Sequence, residues 1–352
     1  MARDSKAVCW IGAAAAVAAG WTLWQRLREA DLSGQTVLIT GSSRGLGLLL
    51  AREFHQAGCR LVICARDGDE LAAAKDNLES RGAEVLAAPC DVGQPEQVDR
   101  LVPQALERFG RIDVLVNNAG IIQAGPLESM GRSDFQQALD VMFWGVLNPT
   151  LAVLPGMLER RSGRIVNVTS IGGVFSPPHL LPYNCAKHAA VGLSEGLHSE
   201  LRREGILVTT IVPGLMRIGS HLNAEFREPQ EEEFTWFALG ASLPVISMDA
   251  ERAARQIVRA TRRGEAFRIL GLPAKLASRF HGLAPNLTSH LLAVVNQMLP
   301  TRNGGAGRGG ARGIEVQERM RSGWLETLTT LGRRAAHKTQ QFEATPSPSA
   351  TP

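Results

Sequence analysis

Short apolar runs that alternate with helical stretches constrain the fold of this chain more than any other feature. Each run is rich in β-branched residues and almost continuously apolar, which is typical of parallel strands buried on both faces of a sheet. The pattern predicts an α/β fold with a doubly wound parallel sheet in a single main domain. The predicted strands are residues 36–40, 60–64, 84–87, 112–117, 164–169, 206–212 and 266–270.

Helical spacing fills most of the intervals between these strands. An irregular segment is predicted at 220–243, followed by a helix at 244–263. Beyond the sheet, 287–299 predicts an apolar helix too short to span a bilayer, and 314–342 predicts a further helix. The predicted crossover helices are residues 46–56, 70–80, 95–109, 133–154 and 183–204.

Composition divides the chain into four parts. We predict a hydrophobic N-terminal arm at 1–31, the main domain at 32–272 and an apolar C-terminal extension at 273–300. The last part, 301–352, is predicted as a glycine-rich linker, a candidate helix and a disordered tail. It carries the whole net charge of +4, and the rest of the chain balances. A general nucleic-acid-binding surface is therefore not indicated, and no nucleic-acid partner is expected.

The N-terminal arm contains a mostly apolar, uncharged run at 7–24. As a helix, this run would be about 27 Å long, just short of the hydrocarbon core of a bilayer. We interpret it as a membrane anchor, a transmembrane helix. Arg26 and Arg28 directly after it favour a main domain that faces the cytoplasm. A cleaved signal peptide, an organelle-targeting arm and a soluble cytoplasmic protein stay open as alternatives.

The placement of cysteine and histidine argues against disulfide and metal chemistry. The five cysteines are scattered without a CxxC pair, which is typical of reduced, buried thiols in a reducing compartment. The eight histidines show no metal-ligand spacing with Cys, Asp or Glu. We therefore predict no metal site.

A glycine-rich turn follows the first predicted strand and opens the first helix. Its glycines allow close backbone approach, and the helix N-terminus offers free N–H groups to a pyrophosphate. The turn predicts a dinucleotide site, which makes the sheet Rossmann-like and 32–272 the dinucleotide-binding catalytic domain. The candidate cofactor-binding residues of the turn are Gly41, Ser43, Arg44, Gly45, Leu46 and Gly47.

The end of the second strand bears on the choice between NAD and NADP. An acidic residue there would bind the ribose hydroxyls of NAD, but Ala65 occupies the expected position and Arg66 follows it. Arg66 and Arg44 together form a predicted clamp for a 2′-phosphate, so we expect NADP (NADPH) in preference to NAD. Asp67 keeps NAD open, because a shifted register would bring its carboxylate to the ribose.

Three residues predict the reaction. Tyr183 is the only tyrosine, and Lys187 lies one helical turn further on, so both share a helix face. Ser170 ends the fifth predicted strand, at the sheet edge where ligands bind. An ammonium about 4 Å away contributes about 4 kcal/mol, enough to lower the pKa of a tyrosine toward neutrality. Tyr183 would then give a proton to a carbonyl oxygen held by Ser170, while a nicotinamide delivers hydride to carbon.

These motifs occur in an order in which the chain resembles the short-chain dehydrogenase/reductase family, over residues 32–272. The resemblance rests on the glycine turn, Asp91-Val92, Asn117-Asn118-Ala119-Gly120, Ser170, Tyr183 with Lys187, and Pro213-Gly214. It implies an NADP-dependent oxidoreductase that uses Tyr183 as its acid and base.

The resemblance also implies roles for further residues and an assembly. Asp91 would lie near the adenine, with Val92 beside it, and Asn117 near the adenosine half. Lys187 would also bind the nicotinamide ribose. The nicotinamide would be flanked by Pro213, Gly214 and Met216. Family members pair into dimers or tetramers, so we expect a homodimer or homotetramer formed through the helices at 133–154 and 183–204.

The predicted substrate pocket is roofed by residues 171–181 and 215–243. Its apolar residues favour an apolar substrate such as a steroid, retinoid or lipid, reduced at a carbonyl or oxidised at a secondary alcohol. His179 is interpreted as an exposed loop residue, with a substrate contact as the alternative. The candidate pocket residues are Phe175, Leu180, Leu181, Phe226, Phe234, Trp236 and Phe237.

Two departures from the family keep other functions open. Met142 stands where the family usually has an Asn that helps hold a water linking Lys to solvent, and Ile218 stands where a Thr often follows Pro-Gly. Methionine offers no amide, which motivates an NADP-binding scaffold with impaired turnover as the alternative function. The apolar segment 287–299 motivates a third hypothesis, a membrane-surface adaptor.

Overall fold

A sheet of seven parallel strands forms the centre of the molecule. The computed structural model describes residues 29–244, 246–301, 309–320, 335–336 and 338–341. Within these residues the strand order is β7-β6-β5-β4-β1-β2-β3, with every neighbouring pair parallel. The strands are β1 Thr36–Thr40, β2 Arg60–Ala65, β3 Val85–Pro89, β4 Val114–Asn117, β5 Gly163–Val168, β6 Ile206–Pro213 and β7 Phe267–Leu270.

Helices connect the strands and cover both faces of the sheet. The chain runs outward from β1 to β3 and then returns to β4 on the other side of β1. This reversal opens a crevice at the carboxyl ends of β1 and β4, where ligands of such sheets bind. The helices are α1 Gly45–Gln56, α2 Gly68–Glu79, α3 Pro95–Phe109, α4 Arg132–Leu139, α5 Gly145–Glu159, α6 Leu181–Leu201, α7 Gln230–Ser242, α8 Ala250–Arg263, α9 Leu272–Leu283, α10 Pro285–Asn296 and α11 Gly313–Met320.

Alternation along β1 shows how the two faces are built. Val37 and Ile39 belong to one fully buried cluster, which includes apolar residues of α1, α2 and α8. Leu38, between them, belongs to a second cluster with residues of α3 and α5. Successive side chains of a strand point to opposite faces, so an uninterrupted apolar strand needs helices on both sides. The predicted doubly wound α/β fold is confirmed.

The segments beyond β6 differ most from the prediction. The segment 220–243, predicted to be irregular, contains α7, whose Phe234 and Phe237 pack with Phe226 in a separate apolar cluster. The predicted helix at 244–263 begins only at Ala250, where Asp249 accepts a hydrogen bond from the Arg252 N–H as the N-cap. Helix α9 was not predicted at all.

The long helix predicted at 133–154 is two helices joined by a π turn. The turn, Asp140–Trp144, lies between α4 and α5 and contains the fully buried Met142. Such turns insert an extra residue into the helical hydrogen-bond ladder and are frequent at functional sites. A π turn does not change the spacing of apolar residues enough to be recognised, so the sequence did not indicate this one.

Among the described residues, one helical stretch, 132–159, is long and apolar enough to cross a membrane. It is weak evidence for a span, because Val153 and Met157 pack into the core beneath the sheet. The predicted anchor at 7–24 lies outside the described residues, as do 321–334, 337 and 342 of the predicted C-terminal helix and the predicted tail at 344–352.

The described cysteines are all free thiols. Cys59, Cys64 and Cys90 are buried, and burial raises the pKa of Cys59 to about 12. Cys185 is exposed, so the prediction of a buried thiol is wrong there. It lies on α6 beside the buried Ala186, on the helix face turned away from the core.

Candidate active site

A cavity of about 1260 Å³ opens at the carboxyl ends of the central strands. Its lining brings together most of the predicted site residues, although they come from distant parts of the chain. The predicted residues that line it are Gly41, Ser43, Arg44, Gly45, Leu46, Arg66, Asp91, Val92, Ser170, Tyr183, Lys187, Pro213, Gly214 and Met216.

Two predicted cofactor residues do not belong to the lining. The Asn117 amide donates to Thr150 Oγ1 at 3.1 Å and Asn167 Oδ1 at 2.9 Å, within the core. Gly47 packs against the Gly41 carbonyl, which would lie 2.1 Å from a Cβ at this position. Asn118, the next residue, lines the cavity instead. The place of Asn117 near the adenosine half stays a prediction.

The glycine turn is held in shape by close backbone contacts. Gly41 has a φ of +62°. A Cβ on it would lie 2.7 Å from Ala119 Cα, so only glycine fits there. The Asn118 amide donates to the carbonyls of Thr40 and Gly41, at 3.0 and 2.9 Å. These bonds join the ends of β1 and β4 and position the first turn of α1 at the cavity.

The N-terminus of α1 faces the cavity without a side-chain cap, since Arg44 makes no capping hydrogen bond there. A helix N-terminus of this kind attracts an anion through its free N–H groups and partial positive charge. One of these groups is already engaged, because the Gly45 N–H donates to the Thr339 carbonyl at 2.8 Å.

The partner of Gly45 belongs to a C-terminal segment that we call the C-terminal strap (335–336 and 338–341). The segment lies within the helix predicted at 314–342, but its contact with the glycine turn was not predicted. The Gln341 side chain lines the cavity and accepts a hydrogen bond from the Asn223 amide at 2.7 Å. Thr339 Oγ1 donates to the Ile218 carbonyl at 3.1 Å. The strap therefore lies against the glycine turn, on the cavity side of α1.

The predicted 2′-phosphate clamp is only partly available. Arg44 forms an ion pair with Glu70, and Ser43 donates to the same carboxylate at 3.0 Å. Arg66 is exposed at the cavity edge. Asp67 caps α2 by accepting from the Glu70 N–H at 2.9 Å. No local pattern indicated that Glu70 would hold Arg44, because 26 residues separate the two.

Ser170 and Tyr183 meet inside the cavity. Ser170 follows β5 and accepts the Gly172 N–H at 3.1 Å, and its hydroxyl lines the same cavity as the Tyr183 phenol. Gly172 allows this approach, because a Cβ there would lie 3.1 Å from the ring carbon Cε1 of Tyr183. Burial raises the pKa of Tyr183, and the Ser170 hydrogen bond offsets part of that effect.

Lys187 lies behind the tyrosine, with its ammonium in the protein interior. Nζ donates to the Val168 carbonyl at 3.0 Å and lies 5.8 Å from the centroid of the Tyr183 ring. Burial lowers the pKa of Lys187 to about 8. The expected acidification of Tyr183 is wrong, because burial raises the pKa of the phenol above its ordinary value.

Met142, on the π turn, stands beside the same lysine. Its Cγ and Sδ atoms and Lys187 Nζ all lie 3.8 Å from the Cβ position of Gly120. The side chain is fully buried and packs in an apolar cluster with Ala186 and Tyr183. A thioether is a weak acceptor with no donor, so this wall of the lysine pocket is apolar.

Part of the cavity lining is apolar, as predicted, but it contains fewer of the predicted pocket residues. Phe175, Leu180, Trp236 and Phe237 line it. Phe226 and Phe234 are fully buried in the cluster behind this wall. Leu181, also predicted, is partly exposed at the start of α6 outside the lining.

His179 differs from its interpretation as an exposed loop residue. It is buried and pairs with the fully buried carboxylate of Glu233. Trp236 Nε1 donates to the other oxygen of that carboxylate at 2.7 Å. The pair therefore ties the loop before α6 to α7 and fixes the indole that lines the cavity.

The sequence profile of the short chain dehydrogenase family matches residues 35–231, more than half of the chain. The chain belongs to this family. It is thereby an NAD(P)-dependent oxidoreductase that acts on carbonyl or alcohol groups, as the resemblance implied. Among the residues described, no group of three His, Cys, Asp or Glu side chains is placed to hold a metal ion.

Proteins with a similar sequence include reductases. The putative ketoacyl reductase 1 of the granaticin polyketide synthase, from Streptomyces violaceoruber, is 35% identical over 205 residues, 56% of this chain and 75% of that protein. The 3-oxoacyl-[acyl-carrier-protein] reductase of Synechocystis is 35% identical over 197 residues, 55% of this chain and 80% of that protein.

Solved structures of the family superpose on the same domain. A short chain dehydrogenase/reductase from Burkholderia phymatum in complex with NAD has a TM-score of 0.67 and 27% identity, covering 73% of this chain and 96% of that chain. The L-sorbose reductase of Gluconobacter frateurii complexed with NADPH and L-sorbose has a TM-score of 0.61 and 27% identity, covering 69% and 97%. Family neighbours therefore include both NAD and NADPH complexes.

Proposed function

We propose that this short-chain dehydrogenase uses NADPH to reduce the carbonyl group of an apolar substrate, or runs the reverse oxidation of a secondary alcohol. The observation that carries the proposal is that Ser170, Tyr183 and Lys187 line one cavity, with the Lys187 ammonium held from behind by the Val168 carbonyl. A phenol and a hydroxyl that converge on one space are placed to bind and protonate a single oxygen atom.

The cavity fits a dinucleotide. Gly41 packs where a Cβ would collide with Ala119, the N-terminus of α1 lacks a side-chain cap, and the cavity volume of about 1260 Å³ accommodates cofactor and substrate together. Gly45 and Leu46 would hold the pyrophosphate, Asp91 and Val92 the adenine, and Pro213 to Met216 would flank the nicotinamide. When bound, the nicotinamide supplies hydride to the substrate carbon.

The chain's own residues divide the proton chemistry. Ser170 orients the substrate oxygen with its hydroxyl, and Tyr183 gives that oxygen its proton. The raised pKa of Tyr183 keeps the phenol protonated at neutral pH, as a donor requires. Once the proton has left, the ammonium of Lys187 stabilises the phenolate, because the charges interact strongly inside the protein. Lys187 would also bind the nicotinamide ribose.

Arg66 supports NADPH as the preferred cofactor, since it is exposed at the cavity edge beside the expected ribose position. Glu70 opposes it, because its carboxylate occupies Arg44 and Ser43. We give Arg66 the main role. Arg66→Ala should raise the Kd for NADPH about tenfold while leaving the Kd for NADH nearly unchanged.

The substrate class follows from the apolar end of the cavity. Phe175, Leu180, Trp236 and Phe237 offer wide apolar surfaces in the same cavity as Tyr183. We propose a steroid, retinoid or lipid ketone, since burial of an apolar substrate against such a wall is favourable.

A second function is favoured by Met142. Its thioether and Lys187 Nζ lie against the same glycine, so this side offers the lysine no amide through which to exchange protons. The alternative is an NADP-binding scaffold with impaired turnover. Binding of the cofactor without hydride transfer, with no rescue of turnover by Met142→Asn, would support the scaffold, whereas full activity of the natural chain rejects it.

Membrane attachment and assembly are further parts of the proposal. The uncharged run at 7–24 would anchor the chain with its catalytic domain in the cytoplasm. Trp144, Leu151 and Leu158 are exposed on α5 and its π turn, which supports pairing of subunits through this helix. We propose a homodimer or homotetramer.

The function is tested by a substrate screen that follows NADPH absorbance. A panel of apolar ketones and aldehydes, matched with small polar ketones, should show turnover, with the apolar ones at lower KM. A purified protein that binds NADPH but leaves its absorbance unchanged across the whole panel contradicts the proposal.

A further inference from the structure

Helices α9 and α10 carry an exposed apolar face that nothing in the described structure covers. Side chains three or four residues apart lie on one face of a helix, and both helices repeat this spacing. We call this face the apolar stripe. It consists of Leu272, Leu276 and Leu283 on α9, and Leu287, Leu291 and Val295 on α10.

Apolar side chains in and next to the stripe are exposed over most of their surface. Leu283 is 87% exposed, and Met298, one turn beyond Val295, is 82% exposed. A helix face that repeats exposed apolar side chains in this way marks a surface that binds something.

The opposite face of α9 is part of the cavity wall. Pro273, Ala274 and Ala277 line the cavity, and a Cβ on Gly214 would lie 2.9 Å from Ala274 Cβ. One helix thus separates the cavity from the stripe.

The cavity reaches the surface next to this helix. Leu215 and Ile246 line the cavity and are 36% and 46% exposed. Phe175, which also lines it, packs against His281 of α9 at a ring-centroid distance of 5.9 Å. An apolar opening and the stripe therefore adjoin each other.

Charge identifies the occupant of the stripe. The sequence contains no acidic residue between Glu265 and Glu315. Lys275 and Arg279 lie one turn apart on α9, Lys275 next to Leu276 of the stripe and Arg279 next to the exposed Phe280. Amphipathic helices with an apolar face and flanking basic residues bind the interface of anionic bilayers. A second copy of the chain would instead bring two such acid-free segments together.

We propose that the apolar stripe, with Lys275 and Arg279, rests in the headgroup region of an anionic phospholipid bilayer. An apolar ketone then passes from the bilayer into the cavity past Leu215 and Ile246. The second statement rests on the proposed function, whereas the first does not.

A fluorescent probe on the stripe tests the contact in the full-length chain. Met298→Cys is labelled with an environment-sensitive nitrobenzoxadiazole maleimide, with Cys9→Ser and Cys185→Ser to remove competing thiols. The vesicles are phosphatidylcholine with about 30% phosphatidylglycerol, or phosphatidylcholine alone. The matched control carries the probe at Leu127→Cys, an exposed leucine distant in sequence from the stripe.

The probe at 298 should brighten with anionic vesicles and much less with neutral ones, while the probe at 127 stays unchanged. Lys275→Glu with Arg279→Glu should weaken the vesicle affinity reported by the probe at least about tenfold. The control is the double variant Arg161→Glu, Arg203→Glu, at the amino edge of the sheet. It changes the net charge by the same amount but should leave the vesicle affinity unchanged.

Three results overturn the docking surface. In the first, the fluorescence of the probe at 298 does not increase although the protein co-floats with the vesicles, which would mean that another segment binds the bilayer. The probe brightens with protein concentration in the absence of vesicles, which would mean that a second copy covers the stripe. The arginine control loses affinity as much as the α9 variant, which would mean that charge acts nonspecifically.

Turnover tests the substrate route separately. An apolar ketone supplied within anionic vesicles should be reduced at least about fivefold more slowly by the Lys275→Glu, Arg279→Glu variant, and a water-soluble ketone at the parent rate. Equal rates on both ketones overturn the route but leave the docking surface standing. Absence of turnover on both by the parent chain instead contradicts the proposed enzymatic function.

Discussion

At the scale of single residues, the site combines three groups that the sequence identified with others that it did not. Ser170, Tyr183 and Lys187 were predictable, because a helical spacing of four and a strand end bring them together. Their protonation was not: it depends on how deeply the folded chain buries them, and burial reversed the expected direction for Tyr183. The ion pair between Glu70 and Arg44 was not predictable for a different reason, because the two residues are close in space but far apart in the sequence.

Burial of Lys187 predicts an alkaline limit to reduction. Its pKa is lowered to about 8, so the charge that stabilises the phenolate is present below that pH and is lost as pH rises through it. The raised pKa of Tyr183 keeps the phenol protonated over the same range. The kcat/KM for reduction should be level below pH 8 and about tenfold lower at pH 9.

The pH profile of Lys187→Arg provides the control. A guanidinium keeps its charge throughout this range, so any activity that remains should show no decline near pH 8. A wild-type profile that stays level to pH 10 would show that the charge of Lys187 does not limit the reaction.

Glu70 predicts a variant with stronger NADPH preference. Glu70→Gln removes the carboxylate that holds Arg44, so the guanidinium becomes available to a 2′-phosphate. The ratio of the NADH Kd to the NADPH Kd should rise about twofold to fivefold. Glu79→Gln on the same helix, which frees only Lys75, is the matched control and should leave the ratio unchanged. An unchanged ratio for Glu70→Gln would mean that Arg44 does not contact the phosphate.

At the scale of elements, prediction succeeded where a local pattern decides the structure. Strands β1 to β7 and their crossover helices follow from apolar runs and helical spacing. Helix α7 was missed although Glu231 to Glu233 form a favourable acidic first turn, because apolar side chains occur all around it. The π turn and the C-terminal strap depend on contacts between distant segments, which no local pattern carries.

A buried chain of hydrogen bonds between amide and hydroxyl side chains predicts a stability effect. Asn117 donates to Asn167, which donates to Ser194 Oγ at 2.9 Å, and Ser194 is 2.7 Å from Thr210 Oγ1. Asn167→Ala leaves buried polar groups unpaired and should lower the free energy of unfolding by about 1–3 kcal/mol. Thermal unfolding measures this loss of stability. The control variant, Gln136→Ala at an exposed position, should keep the parent midpoint. An unchanged midpoint for Asn167→Ala would contradict the prediction.

The C-terminal strap predicts a truncation that tightens cofactor binding. The Thr339 carbonyl occupies the Gly45 N–H, so the strap competes with a phosphate for the glycine turn. Deleting 335–352 should lower the Kd for NADPH about threefold to tenfold, the value of one hydrogen bond. Deleting only 342–352 retains Thr339 and Gln341 and should have no effect. Weaker binding by the longer deletion, at an unchanged unfolding midpoint, would show that the strap supports the cofactor.

At the scale of the whole molecule, the fold explains how distant residues form one site. The reversal of strand order beside β1 places the glycine turn, Asn118, Ser170 and the start of α6 around a single cavity. The order of the motifs was therefore enough to predict the architecture and the family. The order of the motifs was not enough to predict α9. One face of this helix lines the cavity and another is exposed, and only the folded structure shows both.

The central claim is that Tyr183 transfers the proton, and one substitution tests it most directly. Tyr183→Phe keeps the ring in its packing against Gly172 but removes the hydroxyl. With any ketone that the natural chain reduces, kcat should fall at least about 1000-fold, while the Kd for NADPH, read from its fluorescence, stays within about twofold. Nearly full turnover by the Tyr183→Phe variant would contradict the account.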